Sequence, residues 1–315
     1  MLTIDIGSKN IKIIYAEPSP KNVSVKSQIL LETPENAVVN GLVADFDSIV
    51  EAIRDTLEEY EVREKRASIV ITSPEIIIRE IKLPKTNPKN LDMIVYNEVE
   101  SFLRDDNYKV EYFLQYQEDG IVRAYTFGIP TRISESYKKM LLQIGLTPVA
   151  LDVGANAMRK LVSWGNMIKQ PGDQRMDVIA DIGYNFINFN IFEKKMLVYS
   201  RCVLIDADDS VKKHVDTLRD KTKRELELDV DFTTYLSAVD DEIQRVLQFL
   251  ISSDFRVKET KLYICGGTAN FDGIRELLHD YLSTDVHLIE SRRSPAFRDE
   301  SLKEFINALG AQVRL

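Results

Sequence analysis

Cysteine, histidine and tryptophan are scarce in this chain, with two, three and one among 315 residues. Two cysteines make no disulfide framework at this length. Cys202 and Cys265 each sit in or beside an apolar strand-like run, so they read as buried small hydrophobes. His214, His279 and His287 show no ligand spacing with cysteines or carboxylates, which argues against a zinc site. No apolar run approaches the ~20 residues needed to span a bilayer. The first residues enter a strand directly instead of a charged region followed by an apolar signal core. A soluble cytoplasmic protein is expected. A basic surplus is also missing: 41 Lys and Arg face 50 Asp and Glu, for a net charge of −9. That balance lacks the electrostatic footprint of a nucleic-acid binder.

What the chain does have is a 44% hydrophobic composition with helical and strand patterns interleaved. It is longer than one compact core usually holds, so two lobes are expected. Its most informative feature is an internal repeat. Leu2-Thr-Ile-Asp5-Ile6-Gly7-Ser8-Lys9-Asn10 recurs in outline at Val178-Ile-Ala-Asp181-Ile182-Gly183-Tyr184-Asn185-Phe186. In each copy an apolar run reaches an Asp-Ile-Gly turn and resumes within a few residues, which reads as a strand, a tight turn and a strand. Two such hairpins facing each other would let glycine backbone approach phosphate oxygens, while Asp5 and Asp181 hold Mg²⁺ through its waters. A third element, Lys261-Leu-Tyr-Ile-Cys265-Gly266-Gly267-Thr268, places a glycine pair between a strand and a helix with apolar residues at Phe271, Ile274, Leu277, Leu278 and Tyr281. Such a pair lets main chain lie against a flat ring or ribose. Each signal alone is also ordinary turn chemistry.

Between the repeats the spacing predicts a helix capped by Asp47 or Ser48 and running to about Tyr60, then a buried strand over 67–72. An inserted unit over 75–147 follows: a strand over 76–83, a helix from about Pro88 to Leu103, and a hairpin turning at Glu118-Asp119-Gly120. Its second helix ends at Gly145, with Pro148 barring continuation. A helix over 155–164 returns the chain to the first lobe, and Lys169-Gln-Pro-Gly-Asp173 reads as the crossing to the second. The expected division is a first lobe over 1–172 (core 1–74 and 148–172), a second over 173–300 with a reduced subdomain at about 207–240, and a terminal helix over 301–315 packing back on the first. The charged run 206–231 reads as a solvated helical face, and 240–252 as an amphipathic helix.

In this order (hairpin, inserted α/β unit, second hairpin, Gly-Gly turn and terminal helix) the chain resembles the actin-like ATPase superfamily. Within it the chain is most similar to the PilM family of type IV pilus assembly proteins. The matching text includes Ile4-Asp5-Ile6-Gly7-Ser8, Gly41-Leu-Val-Ala-Asp45, Glu98-Val-Glu100, Gly145-Leu-Thr-Pro148 leading to Asp152, Ala180-Asp181-Ile182-Gly183, Gly266-Gly267 and Ala308-Leu309-Gly310-Ala311. The resemblance implies a duplicated, ribonuclease H-like α/β fold with two lobes around a nucleotide cleft. ATP and Mg²⁺ are then expected there, with Asp5 and Asp181 around the metal and Gly7, Ser8, Lys9, Asn10 and Gly183 around the phosphates. Gly266, Gly267 and Thr268 are expected near the nucleoside. Lys12 reaches a phosphate or, on an alternating strand, points elsewhere. Asp152 follows a segment that approaches the cleft in relatives, or simply caps the next helix.

The resemblance also implies a docking platform for the N-terminal cytoplasmic tail of a PilN-like inner-membrane protein, alongside other pilus assembly components. The candidate groove residues are Ile76, Ile78, Leu91, Ile94, Val95, Val99, Phe102 and Leu103, which serve equally as the core of the inserted unit. Two departures stand out. Tyr184, Phe186 and Ile187 replace small, hydroxylated residues in the second hairpin and would crowd the phosphates. Leu204-Ile-Asp206-Ala-Asp208-Asp209 stands where a glycine pair is usual. Hydrolysis is not implied beyond a weak ATPase at most. Two other readings fit the fold: a small-molecule kinase, for which no acceptor-side carboxylate base is evident, and an FtsA-like cell-division protein, which would need a membrane-binding amphipathic tail.

Overall fold

The computed structural model describes residues 1–18, 23–39, 41–84, 87–103, 107–118, 121–165, 167–168, 175–253, 259–282, 285–289 and 303–313. The chain opens with β1 (Leu2–Ile6), β2 (Asn10–Pro18), β3 (Val23–Glu32) and the short pair β4 (Val38–Val39) and β5 (Leu42–Val43). Helix α1 (Phe46–Glu59) is capped by Asp45, whose carboxylate accepts the Ser48 N–H at 3.1 Å, so the expected caps Asp47 and Ser48 already lie inside it. Ile49, Val50, Ile53 and Leu57 recur at helical spacing and form its buried face. β6 (Arg66–Ile71) and β7 (Ile77–Pro84) lead to α2 (Pro88–Glu100), which Asn87 caps and which carries Pro at its first position. Next come β8 (Tyr108–Glu118), β9 (Ile121–Pro130), α3 (Thr131–Ile144), β10 (Thr147–Val153) and α4 (Gly154–Gly165). The expected Asp119-Gly120 turn and the 169–173 crossing lie outside the described residues.

The second half opens with β11 (Arg175–Ile182), β12 (Phe186–Glu193) and β13 (Met196–Leu204). Then come α5 (Asp209–Asp216), α6 (Lys223–Leu228) and α7 (Val230–Ser252), which starts ten residues before the expected amphipathic helix at 240. β14 (Glu259–Cys265), a 3-10 turn at Gly267–Asn270, α8 (Ile274–Leu282), β15 (Val286–Leu288) and α9 (Ile306–Gln312) complete it.

Two five-stranded sheets carry the architecture, in the orders β10-β6-β1-β2-β3 and β15-β14-β11-β12-β13. Strand for strand they have one topology: an antiparallel meander of three, with two further strands added parallel beside the first. The internal repeat is therefore a repeat of the whole sheet. We call each five-stranded sheet with its helices a lobe. β1 and β11 are buried along their entire length, because helices cover the far face of each sheet. A separate three-stranded sheet, β7-β9-β8, stands beside the first. One of its faces packs under α2 through Ile81, Leu83, Leu91, Val95, Val99 and Ala124, and the other joins the main core through Tyr125, Phe127 and Ile129.

α9 returns to the first lobe and crosses α4 at very close range. A Cβ on Gly310 would stand 2.3 Å from the Ala157 carbonyl oxygen, so only glycine permits this crossing.

Candidate functional site

The two hairpins are built alike. The Gly7 N–H donates to the Asn10 carbonyl at 3.0 Å and the Gly183 N–H to the Phe186 carbonyl at 2.9 Å, so each glycine closes its own turn. A Cβ at Gly7 would lie 2.9 Å from Asn10 O, and one at Gly183 3.2 Å from Phe186 O. Register then places Asp5 opposite Lys12 in one hairpin and Asp181 opposite Asn188 in the other.

These residues meet in a cleft of about 90 Å³ lined by Asp5, Gly7, Ser8, Lys9, Asn10, Lys12, Asp181, Gly183, Tyr184, Phe186, Asn188, Arg219, Gly267, Glu304 and Asn307, among others. Asp5 and Asp181 are 5% and 7% exposed, so two carboxylates share one desolvated space. Burial pushes the Asp5 carboxyl above its ordinary range. The Lys12 ammonium opposes that shift, Asp181 adds to it, and the Asn307 amide lowers it. Lys12 Nζ lies 3.9 Å from Asp5 Oδ2. Burial alone would lower its pKa, but Asp5, Asp181 and Glu304 together hold it above the ordinary lysine range. Of the two orientations open to Lys12 in the sequence, the structure has the inward one.

Asn307 of α9 donates its side-chain N–H to Asp181 Oδ2 at 2.8 Å, so the terminal helix reaches across to the second lobe. Glu304 accepts from Asn10 at 3.5 Å and from Asn270 at 3.3 Å, one partner on each lobe. Lys9 contacts Glu32 Oε1 at 2.5 Å and Asp216 Oδ2 at 3.1 Å, which again joins the lobes. Three polar atoms at the cleft, Thr72 Oγ1, Asn185 Oδ1 and Asn188 Oδ1, are buried without a hydrogen-bond partner. Such atoms are costly to leave unsatisfied.

Of the three Gly-Gly turn residues, Gly267 alone lines the cleft. Gly266 backs onto the site: at φ +89° its position would force a Cβ to within 2.5 Å of Asp181 Oδ1. Thr268 is buried, and its hydroxyl shares a 2.9 Å hydrogen bond with Tyr235, which also donates to the Gly183 carbonyl at 3.2 Å. Thr268 therefore braces the second hairpin. Tyr184 and Phe186 do face the cleft, and the Phe186 ring approaches Gly41 of the first lobe, where an added Cβ would be 3.6 Å from it. Ile187 does not crowd the cleft, because it points into the core of the second lobe. Asp152 is occupied elsewhere, with Lys160 Nζ 2.6 Å from Oδ2 and Asn156 donating to Oδ1 at 2.8 Å. Among the described residues no group of three His, Cys, Asp or Glu could hold a metal ion by itself. Cys265 is buried, with its thiol pushed far up by desolvation, while Cys202 is half-buried and its thiol is pushed up to about 12.

A second cavity, of about 290 Å³, lies between the start of β7, the β10–α4 corner and β12–β13. It is lined by Ile76, Ile77, Ile78, Ala155, Asn190, Arg201 and Cys202, with Thr72 and Asn188 shared with the first. This redraws the expected groove. Ile76 and Ile78 line the cavity, whereas Leu91, Val95 and Val99 are buried on the face of α2 that meets the three-stranded sheet, with Ile94, Phe102 and Leu103 packed partly buried beside them. The physical reason is that α2 spends its one apolar face on covering the three-stranded sheet.

Local signals did not reach Arg219, Glu304, Asn307, Thr72 or Asn188. Arg219, Glu304, Asn307 and Thr72 arrive at the cleft through the packing of elements distant in sequence, whereas Asn188 stands opposite Asp181 within the second hairpin.

Two sheets of one topology, with matched hairpins meeting across a cleft, define the actin-like fold. The structure matches that of a PilM-PilN type IV pilus biogenesis complex with a TM-score of 0.82 at 19% identity, covering 100% of this chain and 98% of that one. It also matches the ethanolamine utilization protein EutJ from Carboxydothermus hydrogenoformans (TM-score 0.60, 14% identity, 99% and 88% covered). A third match is MreB 5 of Spiroplasma citri bound to AMPPNP (TM-score 0.51, 10% identity, 97% and 93% covered). A family model described as type IV pilus assembly protein PilM matches residues 3–104 and 132–310. The chain belongs to this PilM family.

Proposed function

We propose that this protein is a cytoplasmic scaffold of a type IV pilus system that takes ATP with Mg²⁺ between its lobes and docks the N-terminal tail of a PilN-like inner-membrane protein. The observation that carries the reading is the convergence of Asp5 and Asp181, at like positions of two like hairpins, in one buried cleft. The division into lobes at 172/173, with the terminal segment returning to the first, belongs to the same proposal.

The residues present fit the cofactor. Two buried carboxylates would hold the hydrated metal, and the Ser8-Lys9-Asn10 turn and Lys12 supply positive charge and donors for phosphates. The partnerless Thr72 Oγ1 and Asn188 Oδ1 would gain hydrogen-bonding partners. Mg²⁺, when bound, would neutralise triphosphate charge that the two carboxylates otherwise repel. Binding requires the lobes to part, because about 90 Å³ is well below the ~300–1,000 Å³ of ordinary ligand sites. No residue is assigned to activate water, since Asp152 is paired with Lys160. Nucleotide occupancy in this reading sets the angle between lobes. Attachment at the inner face of the membrane is assigned to the partner; no helix among the described residues is long and apolar enough to cross a membrane.

The partner tail is assigned to the second cavity. Ile76, Ile77 and Ile78 give it an apolar wall for side-chain anchors, and exposed Arg201 stands at its rim. Titration calorimetry tests both halves, using Mg-ATP and then a synthetic peptide of the PilN-like tail. Saturable Mg-ATP binding that Asp5→Ala and Asp181→Ala each weaken at least tenfold supports the cleft; unchanged affinity in both variants sinks it. Ile78→Glu is expected to abolish peptide capture with Mg-ATP affinity retained, and full capture by that variant would remove the cavity from the docking site.

A further inference from the structure

Of the three cations that line the cleft, Lys9 and Arg219 come one from each lobe, and one carboxylate holds both. Lys9 comes from the tip of the first hairpin and Arg219 from the segment after α5. Asp216, the last residue of α5, takes Lys9 Nζ at 3.1 Å on Oδ2 and both Arg219 Nε and Nη2 at 3.0 Å on Oδ1. Arg219 also donates through Nη1 to the Gly267 carbonyl at 3.3 Å, which aims its guanidinium at the Gly-Gly turn. Asp216 is not in the cleft lining. It stands behind the two cations, with its side chain 18% exposed.

An arginine engaged through neighbouring nitrogens, with a lysine closing from the other side, is the donor arrangement that recognises a phosphoryl oxygen pair. We infer that Lys9 and Arg219 form the phosphate clamp of the cleft, and that Asp216 holds the place of a nucleotide phosphate until one displaces it. This rests on the nucleotide reading above and adds to it a residue, Arg219, and an internal competitor.

The geometry gives the competition a direction. Lys9 has a second carboxylate, Glu32, on the solvent side, whose side chain is 71% exposed. Glu32 can follow Lys9 when the lobes part, because both belong to the first lobe: Lys9 directly precedes β2, whose Asn10 pairs with Glu32 of β3. Asp216 cannot: it belongs to the second lobe. Opening the cleft therefore breaks Lys9–Asp216 and leaves Lys9–Glu32 intact. The exposed Lys213–Glu35 pair, at 3.4 Å, also spans the lobes, but solvent screening makes it a weak tie. A polyphosphate entering between the lobes meets two cations whose shared anion has been withdrawn from one of them.

The test uses the full chain with Asp216→Asn, and Glu32→Gln as control. Binding of Mg-ATP and of inorganic tripolyphosphate is read by calorimetry. Lobe separation without ligand is read by pulsed electron spin resonance between labels on Glu51→Cys and Arg224→Cys in a Cys202→Ser background. Expected for Asp216→Asn are a tenfold or greater gain in affinity for both ligands and a broadened distance distribution, with Glu32→Gln changing affinity less than twofold. If all proteins bind Mg-ATP equally and the distribution stays narrow, the place-holder is overturned while the nucleotide reading stands. A loss of affinity in Asp216→Asn overturns it as well, because Asp216 then positions the clamp instead of competing for it. If neither the parent nor Asp216→Asn binds either ligand, the nucleotide reading and this inference fall together.

Discussion

Alanine at Gly266 and at Gly145 should destabilise the protein by different amounts, and the difference isolates steric overlap from backbone strain. Both glycines have almost the same φ, +89° and +88°. At Gly145, the C-cap of α3, ψ is 21° and a Cβ would meet nothing within 4 Å, so the cost is left-handed strain alone, ~1 kcal/mol. At Gly266 ψ is −179°, in a region that essentially only glycine occupies, which adds roughly 1–3 kcal/mol. The Cβ would also stand 2.5 Å from both Asp181 Oδ1 and Ile182 O and 2.8 Å from Ile182 N. Two of those three atoms are main chain in the middle of a sheet, so relief means moving β11 or β14, at a further ~1–3 kcal/mol. Gly266→Ala should therefore cost about 2–6 kcal/mol against ~1 for Gly145→Ala. Urea titration followed by far-ultraviolet dichroism measures the loss. The single tryptophan, Trp164, is buried in the first-lobe core and reports that lobe separately, which matters if the two halves do not unfold together. Equal destabilisation by the two substitutions would refute the overlap at Asp181.

Val99 is fully buried between α2 and the three-stranded sheet, so Val99→Asp should cost more than ~3 kcal/mol by stranding a charge in that small core. Loss of hydrogen-exchange protection across β7, β8 and β9 checks it, and preserved protection would return Val99 to a surface groove. His214 should titrate above its ordinary value of 6.5, because its Nε2 lies 2.8 Å from Asp229 Oδ2. Its contribution is present in full below pH 6.5 and fades as pH rises through the raised value. Proton resonance titration of the parent and of Asp229→Asn should show the variant falling back toward 6.5, and no difference between them would dissolve the pair.

The parts of this fold that could be read in the sequence are those with local causes. Asp5-Ile6-Gly7 and Asp181-Ile182-Gly183 announce hairpins because a buried β-branched run ends at a glycine that must close its own turn. Strand β3 escaped detection because it is an edge. Its exposure runs irregularly, with Lys26 and Glu32 facing solvent, so no clean alternation marks it. β10 was hidden by Pro148, which reads as a stop after α3; the strand absorbs it in an irregularity between Pro148 and Ala150. For the site, the residues on the two hairpins and Gly267 were legible. Asn307, Glu304 and Arg219 were not, since nothing in their own neighbourhoods encodes which strand ends they will meet. Of the expected groove residues, Ile76 and Ile78 line the second cavity and those of α2 cover the three-stranded sheet; an apolar helix face looks the same in sequence whether it covers a sheet or receives a peptide.

The tight passage of α9 over α4 has a consequence for the order in which the protein can be made. α9 packs on β1, β2, β6 and α4, and Gln312 donates to the Met1 carbonyl at 2.9 Å, 311 positions away. The first lobe is thus synthesised first and completed last. Until residues 306–312 leave the ribosome, the groove beside Ala157 stays open and Asp181 lacks Asn307, while the second lobe already has every strand of its sheet. The emerging chain should hold a finished second lobe beside an unfinished first one, and only the last helix, arriving at both, turns two half-molecules into a cleft.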